Sequence, residues 1–155
     1  MLYRICKSFE VENAHMLSKH PEKCKFPHGH SRKVEIVVSA RELDEHDMVC
    51  DFKALKIAVG EFIDSFDHAI CLNSKDPLLE AIKARPGARV IVYENTDPTT
   101  EVMAKHIFEY IEKALRQELT GANGRLYRIG RNVKLERVRL WETSSSWAEV
   151  SHDNA

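Results

Sequence analysis

The sequence predicts an α+β fold in which an antiparallel sheet carries two helices on one face. Two observations lead to this prediction. The hydrophobic pattern switches between alternating and helical periods along the chain, and the resulting element order is β-β-α-β-α-β-β. The 155 residues fit one ordinary domain without repeats or low-complexity tracts, so we expect a single domain over 1–155.

The strands are predicted from alternating residues and from short apolar runs that end at turn residues. A charged turn follows the second strand, and a serine-rich turn joins the last two into a closing hairpin. The predicted strands span about 3–11, 34–40, 89–93, 133–141 and 147–150. A small open sheet of this kind exposes unpaired edges, which predicts self-association.

The helices are predicted from apolar residues three and four positions apart. The segment 97–101, Asp-Pro-Thr-Thr-Glu, supplies a capping residue, a proline in the first turn and an acidic residue near the positive end of the helix dipole. Gly121 is a plausible end for this second helix. The buried stripes are Phe52, Leu55, Val59, Phe62 and Phe66 in the first helix, and Met103, Ile107, Ile111, Ala114 and Leu115 in the second.

The composition predicts a soluble globular protein, with 43% hydrophobic and 30% charged residues. The formal net charge of −1 disfavours a nucleic-acid partner, although Arg125, Arg128 and Arg131 form a local basic cluster. No apolar run approaches the roughly eighteen residues that span a membrane, and none resembles an export signal. We therefore expect a cytoplasmic protein with four reduced cysteines and no membrane partner.

Three histidines form the most informative pattern in the chain. In an extended segment His28 and His30 point to the same side, so both imidazoles reach one ion, and hairpin pairing would bring His15 beside them. Three neutral imidazoles leave one coordination position of Zn²⁺ open, as in catalytic zinc sites. Two alternatives stay open: His28 and His30 as solvated loop residues, and His20 as a competing ligand.

Cys24 is the candidate nucleophile or general base. The flanking Lys23 and Lys25, and a nearby zinc ion, would favour its thiolate. The same reasoning assigns Cys6, Cys50 and Cys71 to the ordinary alternative, small buried apolar residues.

Two acidic motifs complete the candidate site. Asp67 beside His68 has the arrangement of an acid–base relay, the alternative being a histidine that stabilises the end of a helix. Glu142 is able to accept two parallel hydrogen bonds from an amidine-like edge such as that of a pterin. The alternative for Glu142 is an exposed glutamate beside a hairpin turn.

These motifs resemble the 6-pyruvoyl-tetrahydropterin synthase superfamily. The resemblance spans residues 15 to 143 and is specific because the motifs keep the family order. Its blocks are His15, Cys-x-x-x-His-Gly-His-Ser from Cys24, Val-Cys-Asp-Phe from Val49, Asp67-His68, Leu72-Asn73, Pro-Thr-Thr-Glu from Pro98 and Trp141-Glu142-Thr143. Within the superfamily, the chain is most similar to the bacterial 6-carboxy-5,6,7,8-tetrahydropterin synthases of the queuosine pathway.

The resemblance implies the tunnelling fold (T-fold): a four-stranded antiparallel sheet with two helices on one face, which oligomerises into a β-barrel. It implies a homo-oligomer, a hexamer in the family, with active sites at subunit interfaces. It also implies one Zn²⁺ per subunit and conversion of 7,8-dihydroneopterin triphosphate to a tetrahydropterin. Alternatives are the 6-pyruvoyl product and a non-catalytic zinc- or pterin-binding protein.

The residue roles implied by the resemblance follow the matching motifs. His15, His28 and His30 bind zinc, Cys24 abstracts a proton, Asp67 and His68 form the relay, and Glu142 anchors the pterin ring. Thr99, Thr100 and Glu101 line the pterin pocket. Two departures stand out: Val-Glu-Asn-Ala precedes His15 where the family has an aromatic-x-Ala-Ala pattern, and the segment 74–95 is longer than in compact members.

Overall fold

The computed structural model describes residues 1–153, and within them strands dominate the first half and the end of the chain. A single 3₁₀ turn at Lys23–Lys25 interrupts the connection between the first two strands. The elements are, in chain order, β1 (Tyr3–His15), β2 (His28–Ala40), α1 (Phe52–Asp64), β3 (Ala69–Asn73), α2 (Leu79–Lys83), β4 (Val90–Tyr93), α3 (Thr100–Ala114), β5 (Leu119–Thr120), β6 (Leu126–Tyr127), β7 (Lys134–Thr143) and β8 (Ser146–Ser151).

The main sheet has six strands in the order β4-β3-β1-β2-β7-β8. The strands β1, β2, β7 and β8 are antiparallel and form the predicted four-stranded sheet. The sheet extends beyond these four strands, because β3 pairs in parallel with the end of β1 and β4 pairs in parallel with β3. The strand predicted at 89–93 is β4, whereas β3 was not predicted, because it is short and too continuously apolar to show the alternation of a half-exposed strand.

The predicted helices are confirmed, with a third short helix between them. Asp51 caps α1 by accepting a hydrogen bond from the Lys53 amide, at 2.7 Å. Thr99, rather than Asp97, caps α3 through the Val102 amide, so Pro98 lies before the first helical turn and not within it. The buried faces of α1 and α3 share one hydrophobic core with the sheet, whereas α2 belongs to a small separate cluster with Met16 and Leu72.

Side-chain alternation in the sheet decides what the core-facing side carries. In β1 the odd-numbered residues face the core and end at Asn13 and His15. Because β1 and β2 pair with His15 opposite His28, the even-numbered residues of β2 share that face, from His28 to Val38. The helices cover the apolar end of this face, so the polar end is left to form a site.

Several stretches of strand edge have no partner within the described residues, among them the outer edge of β4. The strand β3 pairs with β1 only at Asn13–His15, which leaves one edge of the earlier part of β1 open, and β8 forms an outer edge of the sheet. Among the described residues no helix has both the length and the apolar character needed to cross a membrane.

Candidate metal and substrate site

The three predicted histidines converge. His15 and His28 are directly opposed in the β1–β2 ladder, with ring centroids 4.5 Å apart, and His30 lies 5.2 Å from each by the same measure. One ring nitrogen from each side chain lies within 4.8 Å of the other two. The register of the β1–β2 pair therefore brings together histidines from its two strands, as the sequence predicted. His20 is not in this group.

Backbone carbonyls orient two of the rings. His15 Nδ1 lies 2.8 Å from the Pro98 carbonyl oxygen, and His28 Nδ1 lies 2.8 Å from that of Phe26. A carbonyl only accepts, so each Nδ1 is assigned the proton, which leaves both Nε2 lone pairs for a metal. Such second contacts are typical of metal-binding histidines.

His30 gives the fit test for a metal ion. Its Nε2 is buried and has no hydrogen-bond partner in the protein, a costly state for a polar atom. An ion held between the three rings would satisfy that nitrogen. The donor set of three imidazoles fits Zn²⁺ with one position left for water or substrate.

Burial favours the neutral form of His15 and His30, which is the form that binds a metal. It lowers the pKa of His15 to about 4, an effect that the neighbouring Arg32 reinforces. Burial also lowers the pKa of His30, again with help from Arg32. At neutral pH these two rings therefore need not lose a proton before they bind an ion.

Cys24 lies in the 3₁₀ turn of the β1–β2 connection and is half-buried with a free thiol. Its carbonyl accepts a hydrogen bond from the Leu17 amide at 2.9 Å, which ties the turn to the residues that follow His15. Cys50 and Cys71 are buried, as predicted. The prediction for Cys6 is wrong, because its even position in β1 places it on the face that no helix covers.

Asp67 and His68 form the predicted pair. Asp67 Oδ2 lies 2.8 Å from His68 Nδ1, and the other oxygen, Oδ1, accepts from the Glu12 amide at 2.7 Å. These two hydrogen bonds hold the pKa of Asp67 below its ordinary value, so the carboxylate stays charged. The backbone of His68 has a φ of 54°, which is uncommon for a residue other than glycine.

The Asp67–His68 pair, here called the dyad, is not bonded to Cys24 in this single chain. Among residues 1–153 no hydrogen bond or ion pair joins Cys24 to Asp67 or His68. His68 instead lines a cavity of about 980 Å³ together with His30, Arg85 and Arg89.

Glu142 lies on the other side of His30, half-exposed at the end of β7. Its Oε1 is 3.9 Å from His30 Nε2, and its Oε2 accepts a short hydrogen bond from the Thr100 hydroxyl. Burial raises the pKa of Glu142, but the Thr100 hydrogen bond and the charges of His30 and Arg32 outweigh it and leave the pKa below its ordinary value. A second cavity, of about 570 Å³, is lined by Glu142, Trp141 and His30.

The three residues predicted beside Glu142 take different positions. Thr100 is buried and contacts the Glu142 carboxylate. Thr99 is half-buried and its hydroxyl caps α3, while Glu101 is exposed in the first helical turn. A role for Thr99 and Glu101 in substrate binding therefore stays a prediction.

Sequence reasoning missed Arg32, one of the largest fully buried side chains. Its guanidinium lies 3.1 Å from Thr100 Oγ1, 3.2 Å from His15 Nδ1 and 3.9 Å from Glu142 Oε2. The signal was available: Arg32 is two residues after His30 in the same strand, so the alternation that places the histidines also places Arg32 on the core side.

The fold and the histidine cluster define the class, an α+β protein whose sheet carries a potential three-histidine metal site beside a carboxylate. The chain belongs to the 6-pyruvoyl tetrahydropterin synthase family, whose sequence model matches residues 4–153. This confirms the family resemblance found in the motifs.

Relatives and solved structures agree with this placement. The chain is 30% identical to a 6-carboxy-5,6,7,8-tetrahydropterin synthase from Aquifex aeolicus, over 99% of this chain and 100% of that protein. It is 32% identical to one from Rickettsia bellii, over 96% and 100%.

Among solved structures, an uncharacterized protein from Wolinella succinogenes superposes with a TM-score of 0.76 at 22% identity, covering 99% of both chains. A Plasmodium vivax 6-pyruvoyl tetrahydropterin synthase superposes with a TM-score of 0.70 at 16% identity, also covering 99% of both. At these identities the structures show the fold alone, and they confirm the tunnelling fold. The curated relatives support a tetrahydropterin synthase, an enzyme of the lyase type.

Proposed function

We propose that this protein converts 7,8-dihydroneopterin triphosphate to 6-carboxy-5,6,7,8-tetrahydropterin, with release of triphosphate and acetaldehyde, in a zinc-dependent reaction of the queuosine pathway. The observation that carries the proposal is the convergence of His15, His28 and His30 beside the Glu142 carboxylate. The names of the curated relatives favour the 6-carboxy product. We place the reaction in the cytoplasm.

The substrate would lie across His30, which borders both cavities. Glu142 would bind the amidine-like edge of the pterin ring in the smaller cavity, since its charged carboxylate accepts two N–H donors in parallel. The triphosphate would then extend into the larger cavity, where Arg85 and Arg89 are the cations. In this orientation the reacting side chain of the substrate lies at the histidines.

Each catalytic group has a separate task in this proposal. His15, His28 and His30 would hold a zinc ion, and a bound zinc ion would act as a Lewis acid toward the hydroxyl and C–H groups of the substrate side chain. Cys24 takes a proton from that side chain, and His68 gives or takes one on the opposite face. Asp67 fixes the orientation of His68 through the 2.8 Å contact at Nδ1, so that Nε2 is the exchanging atom.

A complete site in this proposal requires a second copy of the chain. No hydrogen bond or ion pair joins Cys24 to Asp67 or His68 within the described part of one chain, and an open β1 edge and the β8 edge are both available for pairing. We infer that strands of neighbouring copies join into a barrel and that the dyad of one copy serves the metal site of another. A homo-oligomer, a hexamer as in the family, would both pair the open strand edges and complete the site.

The decisive experiment is incubation of the purified protein with 7,8-dihydroneopterin triphosphate, with and without zinc, followed by mass analysis of pterin and aldehyde products. Equal amounts of acetaldehyde and 6-carboxytetrahydropterin, formed only with zinc, would support the proposal. A retained three-carbon side chain would instead identify the 6-pyruvoyl reaction. Pterin binding without any product would identify a non-catalytic binding protein.

A further inference from the structure

Arg32 is a buried cation between the candidate metal site and the carboxylate of Glu142. Its side chain has no solvent exposure, and its Nη1 approaches both Thr100 Oγ1, at 3.1 Å, and Glu142 Oε2, at 3.9 Å. Burying a guanidinium is costly unless it is paired and hydrogen-bonded, and here Arg32 Nε has no partner in the protein. A position maintained at this cost points to a functional role.

The contact between Arg32 and His15 leaves the metal-binding nitrogen free. Arg32 Nη2 lies 3.2 Å from Nδ1 and 3.4 Å from Nε2 of His15, so it approaches the ring without selecting one lone pair. His15 Nδ1 carries a proton, which it donates to the Pro98 carbonyl. A guanidinium also has donors only, so Arg32 and His15 Nδ1 do not hydrogen-bond to each other. The interaction is therefore a fixed positive charge beside the ring and not a competing bond.

Glu142 borders the histidine group at His30, and its carboxylate is a potential further ligand for a metal ion held there. Tetrahedral zinc with bonds to nitrogen and oxygen near 2.1 Å places neighbouring ligand atoms roughly 3.4 Å apart. Glu142 Oε1 is 3.9 Å from His30 Nε2 but is not among the ligand atoms that lie within 4.8 Å of one another, so a rotation of the side chain toward the other two rings would be needed to add a fourth protein ligand. Four protein ligands make a closed, structural type of zinc site.

Two contacts oppose that rotation, and both involve the other carboxylate oxygen. Glu142 Oε2 accepts from the Thr100 hydroxyl and faces the Arg32 guanidinium. We propose that Arg32, acting with Thr100, holds Glu142 back from the metal, and so keeps both the fourth coordination position and the carboxylate available to the substrate. Arg32 is thus a positioning residue, and this inference rests on the metal centre of the proposed function.

The test uses the intact protein loaded with Co²⁺, whose visible absorption reports its ligands, and azide as a probe of the open position. Wild-type protein should bind azide with a change in the cobalt spectrum. The Arg32→Met variant should hold Co²⁺ more tightly than the wild type does. It should bind azide at least about tenfold more weakly, because Glu142 then occupies the fourth coordination position. In the double variant Arg32→Met/Glu142→Gln, azide binding should return.

A purely structural role for Arg32 predicts the opposite sign, since a loosened site would lose Co²⁺ affinity. Thr100→Val removes only the hydroxyl contact and should weaken azide binding in the same direction, which keeps the test valid if Arg32→Met does not fold. Lys33→Met is the matched charge control, because the Lys33 ammonium pairs with Glu35, at 3.1 Å, and azide binding should not change.

The outcomes separate the two proposals. Wild-type protein that takes up neither Co²⁺ nor Zn²⁺ would overturn the metal centre and the role of Arg32 together. Cobalt uptake by the wild type, combined with undiminished azide binding in both the Arg32→Met and Thr100→Val variants, would overturn the role of Arg32 alone.

Discussion

The Asp67–His68 pair is joined to the backbone of Glu12 by two hydrogen bonds, one to each residue of the pair. The Glu12 amide donates to Asp67 Oδ1 at 2.7 Å, and the His68 amide donates to the Glu12 carbonyl at 2.6 Å. Glu12 lies in β1 three residues before His15, so the Asp67–His68 pair and this histidine are fixed to the same strand.

The first prediction concerns Asp67→Asn. The amide retains an acceptor for the Glu12 N–H group but turns an NH₂ group toward His68 Nδ1, which removes the carboxylate that orients His68. We expect kcat to fall by about 100-fold or more, with little change in melting temperature or in zinc per chain. Asp64→Asn, at the end of α1, is the matched control and should keep kcat. Unchanged turnover in Asp67→Asn would remove the dyad from the mechanism.

A second prediction separates the proposed base from the metal ligands. Cys24→Ala should bind zinc as the wild type does, because no sulfur belongs to the histidine group, and should lose turnover. His28→Asn should lose both zinc and turnover. The measurements are zinc per chain by elemental analysis and product formation by mass spectrometry. Full activity in Cys24→Ala would exclude the cysteine as the base.

A third prediction concerns the reactivity of the four thiols. Burial raises the pKa of Cys50 and of Cys71 to about 11, so both remain neutral thiols at pH 8. Cys6 is exposed and Cys24 half-buried. In the native protein we expect iodoacetamide to label these two alone, and denatured protein to be labelled at all four. Peptide mapping after Cys6→Ser should leave Cys24 as the single labelled site, and early labelling of Cys71 would contradict the described core.

The fourth prediction is an acid-induced loss of stability in the metal-free protein. The pKa of His15 falls from 6.5 to about 4 on folding. Between these values the unfolded chain binds a proton that the folded chain does not, so the free energy of unfolding decreases as pH falls from about 6.5 to 4, by up to about 3 kcal/mol.

Urea unfolding at a series of pH values after chelation measures this dependence. His15→Gln should flatten the curve over that range, because glutamine does not titrate. Zinc should shift the loss to lower pH, since it binds the neutral rings of the folded state. An equal slope in the metal-free wild type and His15→Gln would mean that His15 is not the group responsible.

How much of the site follows from the sequence depends on strand alternation. The positions i and i+2 of His28 and His30, combined with a hairpin partner at His15, are sufficient to predict the cluster. The same rule places Arg32 on the core side of the strand. An arginine is ordinarily expected in solvent, however, and its burial is seen only in the folded structure. Which residues pair with a buried charge is a property of the packed structure.

The position of β3 and of Asp67–His68 relative to β1 could not be predicted from the sequence, for a different reason. The strand β3 is short, contacts only the last three residues of β1, and has no periodic signal that sets it apart from a loop. The hydrogen bonds that join Asp67 and His68 to Glu12 lie directly beside that parallel pairing. The motif Asp67-His68 thus indicated the chemistry, whereas its position relative to β1 emerged only from the fold.

The fifth prediction concerns Asp97, which connects three parts of the site. It is buried and accepts hydrogen bonds from the Ser18 hydroxyl, the Lys19 amide and Asn73 Nδ2, at 2.6, 2.7 and 2.9 Å. These bonds join the loop after His15, the end of β3 and the segment that starts α3. They outweigh the effect of burial and keep the pKa of Asp97 below its ordinary value.

Loss of this carboxylate should affect both stability and metal binding. Asp97→Ala leaves three donors without their acceptor, and we expect a loss of about 2–4 kcal/mol in the free energy of unfolding. The carbonyl of the next residue, Pro98, orients His15, so zinc affinity should also fall, by about tenfold. Asp44→Ala is the matched control: Asp44 also accepts backbone amides, from His46 and Met48, but is exposed in a turn outside the site. Urea unfolding measures the loss of stability, and chelator competition measures the zinc affinity. If the zinc affinity of Asp97→Ala stays at the wild-type value, the Pro98 carbonyl holds His15 without help from this carboxylate.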